Sequence, residues 1–230
     1  MYSPRMAKST TKQTCFFWDF LGSGLRNGGS DKENVETRDK IIIAAFEEMY
    51  EKGFQAASLS NILKNTGLTK GALYHHFKNK KELGFAVLDE VICSSYLIEN
   101  WISPLEGSDD PITTIEEIMY EYAQRLTKEG LDRGCPLHNL SQEMSPLDAT
   151  FRERVVQAYD DWKSVIEVAI QRGIDSGNVK SNTDPKAVSL LIVATLQGCL
   201  GMAKATQDIE TLESCGTAMM HRLETMRPGT

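Results

Sequence analysis

A chain of 230 residues has room for one large domain or two small ones, and for a core that needs neither disulfides nor metals. Its hydrophobic fraction of 41% and charged fraction of 25% are ordinary for a globular protein, which excludes a collagen, a coiled-coil rod or a disulfide scaffold. Taken as an average, the formal net charge of −7 argues against a nucleic-acid partner, because DNA affinity rests largely on neutralising phosphates with Lys and Arg.

No apolar run approaches the roughly 18 residues of a membrane helix. The longest candidates, residues 15–21 and 187–202, are too short or are broken by Lys, Ser, Thr and Gly. The five cysteines, Cys15, Cys93, Cys135, Cys199 and Cys215, are odd in number and widely spaced, with no CxxC or CxxH pattern. Reduced thiols of a cytosolic protein are the simplest expectation.

Residues 1–34 read as a leader outside the folded core. Asp19 interrupts the apolar patch at 15–21, which argues against an export signal. Glycines at 22, 24, 28 and 29 loosen the second half. A disordered arm, an overlong start with Met6 as the true one, and an aromatic anchor all remain open.

From Glu36 onward the apolar period is helical, and the expected class is all-α with about nine helices. Thr37 caps a first helix to Lys52, with Gly53 as its stop. Ser58 caps a second over 59–65, which ends at Gly67. Thr69 caps a third over 70–76. Asn79 and Glu82 resemble a capping box for a long fourth helix to Trp101. Asp110-Pro111 opens a fifth that ends at Gly130. Shorter signals place a helix over 137–144, one from Ser145-Pro146 to Gly173, one over 186–204 after Asp184-Pro185, and a last one from Asp208. No strand and no internal repeat is evident.

The charge is unevenly spread. Residues 1–30 carry +3, residues 31–90 carry −1 and residues 91–230 carry −9. Between Glu51 and Glu82 there is no acid, while six lysines (52, 64, 70, 78, 80 and 81) fall in that stretch. Its centre, SLSNILKNTGLTKGALYHHF over 58–77, reads as two short helices joined at Gly67, a helix-turn-helix. The second helix has to expose Thr69, Lys70, Gly71, Ala72, Tyr74 and His75. That set suits a major groove: hydroxyl, ammonium, phenol and imidazole reach phosphates or base edges, and Gly-Ala lets the backbone approach. Ser58 joins them from the first helix, and Lys78 and Lys80, with Lys81, are placed to grip the sugar-phosphate backbone. An ordinary helical hairpin with a lysine-rich surface is the plainer alternative. It does not account for thirty residues without an acid.

Residues 37–90 resemble the DNA-binding domain of the TetR/AcrR family of transcriptional regulators. The matching residues are Thr37-Arg38, Ile42, Ala45, Phe46, Gly53-Phe54, Ser58, Ile62, 67–71 (GLTKG), 73–77 (LYHHF), Lys80 and Leu83. The resemblance implies a DNA-binding domain over 35–90, with its motif at 58–77, and a ligand-binding and dimerisation domain over 91–230. It also implies a homodimer on a palindromic double-stranded operator in the bacterial cytoplasm, acting most simply as a repressor. Residues 134–143, GCPLHNLSQE, are similar to a Gly-Cys-x-Leu subgroup, some members of which sense electrophiles or oxidants. At a helix N-terminus the Cys135 thiol is expected to be shifted toward thiolate, with Arg133 and His138 close by. A small buried cysteine filling a helix junction is the other reading.

Trp101, Met119, Tyr122, Cys135, His138, Tyr159 and Trp162 are the candidate lining of an effector site. Such a lining suits a small apolar or electrophilic molecule. The dimer face is expected on the last two helices, with close approach at Gly198, Gly201 and Ala203 and a stripe of Leu212, Met219 and Leu223. The competing class is a helical enzyme or small-molecule binding protein sharing only the hairpin. No Gly-rich phosphate loop, Ser elbow or metal-spaced cluster supports it, and adjacent His75 and His76 point about 100° apart on a helix. No cofactor, no metal and no membrane partner is expected.

Overall fold

The computed structural model describes residues 29–229. Most of the expected leader, with its apolar patch and Met6, lies outside the described residues. The first helix, α1, spans Gly29–Lys52 and so begins eight residues ahead of the expected cap at Thr37. Ile41, Ile42, Ala45, Phe46 and Met49 are its buried face. Gly53 closes it at φ +85°, its N–H bonded to the carbonyl of Met49 at 2.8 Å. A left-handed residue there favours glycine.

Next come α2 (Leu59–Thr66), α3 (Lys70–His76) and α4 (Lys80–Ala86). The last continues without a break into a segment, Val87–Ile102, wound as a π-helix, and then into α5 (Ser103–Leu105). The expected extent of this rod holds, but its winding was not legible. The Ser94 and Ser95 hydroxyls donate to carbonyls five residues back, at Asp89 and Glu90, following the wider i→i+5 register. The structure then places α6 at Pro111–Arg125 and α7 at Lys128–Arg133, where one helix ending at Gly130 was expected. The break comes from Leu126, which is extended, and from Thr127, whose hydroxyl caps α7 by accepting the Gly130 N–H at 3.1 Å.

Beyond α8 (Pro136–Met144), the long α9 (Ala149–Asp175) is capped by Asp148 and not by Ser145. The Asp148 carboxylate takes the N–H groups of Thr150 and Phe151 at 2.9 and 3.1 Å. Asp184 and Asp208 cap α10 (Pro185–Thr206) and α11 (Ile209–Glu224) as expected. All described residues in regular elements are helical, so the all-α class holds.

By length and composition alone α10 is apolar enough to cross a membrane, which the sequence reading missed. It is a core helix instead. It packs against both α9 and α11, with Val188, Ile192, Val193 and Leu200 buried. Residues 39–230 form one compact unit.

The base of the helix-turn-helix is fixed to the later helices by an aromatic joint. Phe151 of α9 lies 4.8 Å from Phe54 and 4.7 Å from Phe85, centroid to centroid. Gly84 makes this approach possible. A Cβ there would stand 2.5 Å from Phe54 Cε2 and 2.9 Å from Phe151 Cζ. Packing of these three aromatic rings at one point, two of them buried, is a large local stabilisation.

The expectation of reduced thiols is corrected for two cysteines. Cys199 of α10 and Cys215 of α11 are joined in a disulfide, while Cys93 and Cys135 are free. Met219 and Leu223, expected at a dimer face, are 4% and 0% exposed and belong to the chain's own core. The exposed apolar residues of α10 are Leu190, Leu191 and Met202.

Candidate nucleic-acid interface

The geometry of the helix-turn-helix begins with Glu48, a carboxylate only 7% exposed near the end of α1. It accepts the Ser58 backbone N–H at 3.1 Å and the Asn61 side-chain amide at 2.9 Å. An acid from another helix thus satisfies the start of α2. Ser58 stands at the N-cap position, but its hydroxyl makes no capping bond, contrary to expectation. Gly67, at φ +68°, turns the chain with its N–H on the Leu63 carbonyl. Thr69 does cap α3, accepting the Ala72 N–H at 3.2 Å. Asn79 accepts the Glu82 N–H, and Glu82 returns to the Lys78 N–H, one residue before the position a capping box would use.

These caps set the helix orientation. Ile62, Leu73 and Phe77 are buried beneath, and Thr69, Lys70, Gly71, Tyr74 and His75 are exposed above, with Ala72 half-buried. Lys70 Nζ lies 5.8 Å from the Tyr74 ring centre, within cation–π reach. A Cβ on Gly71 would meet only its neighbour's Thr69 hydroxyl, at 3.8 Å, so a backbone or phosphate has room to approach there.

The three following lysines divide. Lys78 is 86% exposed at its side chain, with Glu82 no nearer than 3.9 Å. Lys80 is turned inward: its ammonium donates to the Gln55 carbonyl at 2.9 Å, lies 5.1 Å from the Phe54 ring centre, and burial lowers its pKa. Lys81 pairs with Asp148 at 2.6 Å. Lys80 and Lys81 therefore serve the joint, and of the three only Lys78 stands clear of it.

Contacts not foreseen in the sequence tie this headpiece to the helices behind it. Glu143 of α8 accepts the N–H groups of Phe54 and Gln55 at 2.7 and 2.8 Å. Arg133 pairs with Glu47 at 2.9 Å and lies over the Tyr50 ring. The Tyr50 hydroxyl donates to the Gly134 carbonyl. These five contacts converge on α8 and the residues just before it. Glu143 carried no local signal, because its partners lie nearly ninety residues away. A cavity of about 500 Å³ opens at the same place, lined in part by Phe46, Met49, Tyr50, Leu140 and Lys204. None of the seven expected effector residues lines it.

Those seven are distributed as follows. Cys135 is the N-cap of α8 and 2% exposed. Its sulfur is approached by the His138 and Leu137 N–H groups, by the Gln197 amide and by Tyr96. Burial nonetheless outweighs them and pushes the thiol pKa up, which corrects the expected shift toward thiolate. Arg133 is committed to Glu47 and does not assist. Tyr122 and Tyr159 face the same sulfur, both pushed up to about 12 by burial, and Tyr96 bonds to Tyr122. Burial first, and Lys204 second, lowers the pKa of His138. Trp101 and Trp162 form a pair at 5.2 Å, and the Trp162 Nε1 is buried without a partner. Met119 is apart, packed on α11 where a Cβ at Gly216 would lie 3.1 Å from its methyl.

Gln197 was missed, although a polar residue on the apolar face of α10 was legible. It is 5% exposed, and neither amide atom has a conventional hydrogen-bond partner. Among the described residues no group of three or more His, Cys, Asp or Glu is arranged to hold a metal.

Comparison with known proteins decides the class. Residues 41–87 match the model of bacterial regulatory proteins of the tetR family, and residues 111–219 match the tetracyclin repressor-like C-terminal domain. An uncharacterised HTH-type transcriptional regulator from the lacX 3' region of Lactococcus lactis subsp. lactis is 32% identical over 181 residues. That match spans 77% of this chain and 88% of the relative. The chain belongs to the TetR family. It is a DNA-binding transcriptional regulator and not an enzyme. A TetR regulator from Chloroflexus aurantiacus superposes with a TM-score of 0.74 at 27% identity, over 85% of this chain and 98% of that one. A variant of the regulator CifR, solved with a 26-base-pair double-strand operator, shares the fold at a TM-score of 0.69 and 20% identity, over 80% and 95% of the two chains.

Proposed function

We propose that this TetR-family protein is a homodimeric repressor that sits on a palindromic operator in the bacterial cytoplasm and leaves it when a small effector occupies the second domain. Residues 35–90 are the DNA-binding domain and 91–230 the effector and dimerisation domain. The observation that carries the reading is the outer face of α3. Thr69, Lys70, Gly71, Tyr74 and His75 stand exposed on a stretch without acids, beside a Ser58 hydroxyl not used for capping. Lys70 and Lys78 supply charge, Ser58, Thr69, Tyr74 and His75 supply hydrogen bonds, and Gly71 with Ala72 admits the duplex.

The second copy is assigned to the outer face of α10, where Leu190, Leu191 and Met202 are exposed on a helix without acids. A Cβ on Gly198 would meet nothing within 4 Å, leaving room for close helix approach. A two-fold axis there sets two recognition helices about 34–36 Å apart, one turn of DNA. The effector, small and apolar or electrophilic, binds among Trp101, Tyr122, Tyr159 and Trp162. Burial keeps Cys135 protonated, so the release step is assigned to binding and not to attack by its thiolate.

The test is a titration of the protein against the DNA upstream of its own gene, followed by fluorescence anisotropy at several salt concentrations. Lys70→Ala and Tyr74→Ala are each expected to weaken binding about tenfold. Unchanged affinity in both variants overturns the reading.

A further inference from the structure

The disulfide between Cys199 and Cys215 bridges α10 and α11 across 16 positions, with Cα atoms 5.9 Å apart. A DNA-binding regulator works where glutathione- and thioredoxin-type thiols keep dithiols reduced, and disulfides there are as a rule transient and redox-sensing. Nor do these helices need a staple, since Val193, Ala203, Met219 and Leu223 already give them a buried core.

The two sulfurs are unequally reachable. Cys199 is 4% exposed, and Cys215 is half-buried. Among the described residues the free thiols are poor candidates, because burial pushes Cys93 up to about 12 and raises Cys135 as well.

Position gives the pair its leverage. Gln197, two residues before Cys199, faces the Cys135 sulfur. A Cβ on Gly201 would be 3.8 Å from the His138 ring, and Lys204 donates to the Asn139 side chain at 3.1 Å while its stem covers Gly134. The inner face of α10 thus bears on the start of α8. Just ahead of that start, Arg133 and the Gly134 carbonyl hold Glu47 and Tyr50 of the headpiece, and Glu143 at the other end of the same helix holds Phe54 and Gln55.

We propose that Cys199 and Cys215 form a reversible oxidation site for hydroperoxides, and that its state sets the operator affinity of the dimer. The proposal rests on the operator reading above. A Cys215 thiolate attacks the peroxide O–O bond, giving a sulfenic acid and releasing the alcohol or water. Cys199 then attacks that sulfur and water leaves. Two thiols lose two electrons and one peroxide gains them. A low-molecular-weight thiol reverses the step by two exchanges, leaving as its own disulfide.

The experiment uses the full chain, treated with hydrogen peroxide or with glutathione. Alkylation and mass spectrometry report the thiols, and anisotropy reports operator affinity. The expected result is a bond that forms and reverses, with at least about a fivefold difference in operator Kd between the two forms. Cys199→Ser and Cys215→Ser are expected to form no disulfide with peroxide and to keep the operator affinity of the reduced protein, while Cys93→Ser keeps the response. A bond that glutathione cannot open, or a response that survives in Cys215→Ser, overturns the proposal. So does equal affinity of the two forms, which leaves the operator reading standing. Failure of both forms to bind overturns the operator reading and this proposal together.

Discussion

Lys78 and Lys80 show how little a residue's type says about its work. Both sit in one basic run, and the sequence assigns both to the DNA backbone. The structure keeps Lys78 in solvent and folds Lys80 onto the Gln55 carbonyl and the Phe54 ring. Each phosphate contact contributes about one unit to the slope of log affinity against log salt. Lys78→Ala is therefore expected to lower that slope by about one with an unchanged melting temperature. Lys80→Ala is expected to leave the slope alone and lower the melting temperature by a few degrees. Slopes that fall equally in both variants count against this division. The same limit applies to Cys135. Its place at a helix N-terminus was legible, but the burial that wins over the helix field depends on Tyr96, Tyr122, Tyr159 and Gln197, which come from four other helices.

Among the elements, the caps were the most legible signals. Thr69, Asp110, Asp184 and Asp208 each stand where the sequence placed them, because a cap bond spans only two or three residues. Ser58 failed for the opposite reason. Its helix start is satisfied by Glu48, ten residues upstream on a different helix. The π winding after Ala86 and the break at Leu126 were also hidden, since the apolar period passes through both. The element with most influence on the headpiece is α8, through Glu143. Removing that carboxylate leaves two N–H donors of the α1–α2 loop without their acceptor. Glu143→Ala is expected to destabilise the protein by about 1–3 kcal/mol, read by thermal unfolding. Operator affinity should fall with it, because α3 is oriented from that loop. A variant as stable as the parent would mean that water replaces the carboxylate at no cost.

At the scale of the whole molecule, the net charge of −7 misled only as an average. Residues 91–230 carry −9, and the lysine-rich stretch between Glu51 and Glu82 lies entirely within the headpiece. The all-α class was legible throughout, whereas the outward face of α10 was not, because burial by α9 and α11 decides which apolar residues remain outside. Met202→Glu together with Leu190→Glu is expected to yield monomers in sedimentation. Operator binding should weaken by more than about tenfold, since each headpiece then binds alone. Dimers that persist in the double variant would move the interface elsewhere.

The Gly84 contact also constrains how such regulators can be recombined. Phe54, Gly84 and Phe85 lie in the headpiece, while Phe151 and Glu143 lie far along the chain, yet they meet at atomic contact. A chimera that exchanges only the first ninety residues would graft a foreign loop onto Phe151 and Glu143. For a new operator preference to be transplanted intact, the graft has to carry those two later residues, or arrive with its own glycine and phenylalanine in register.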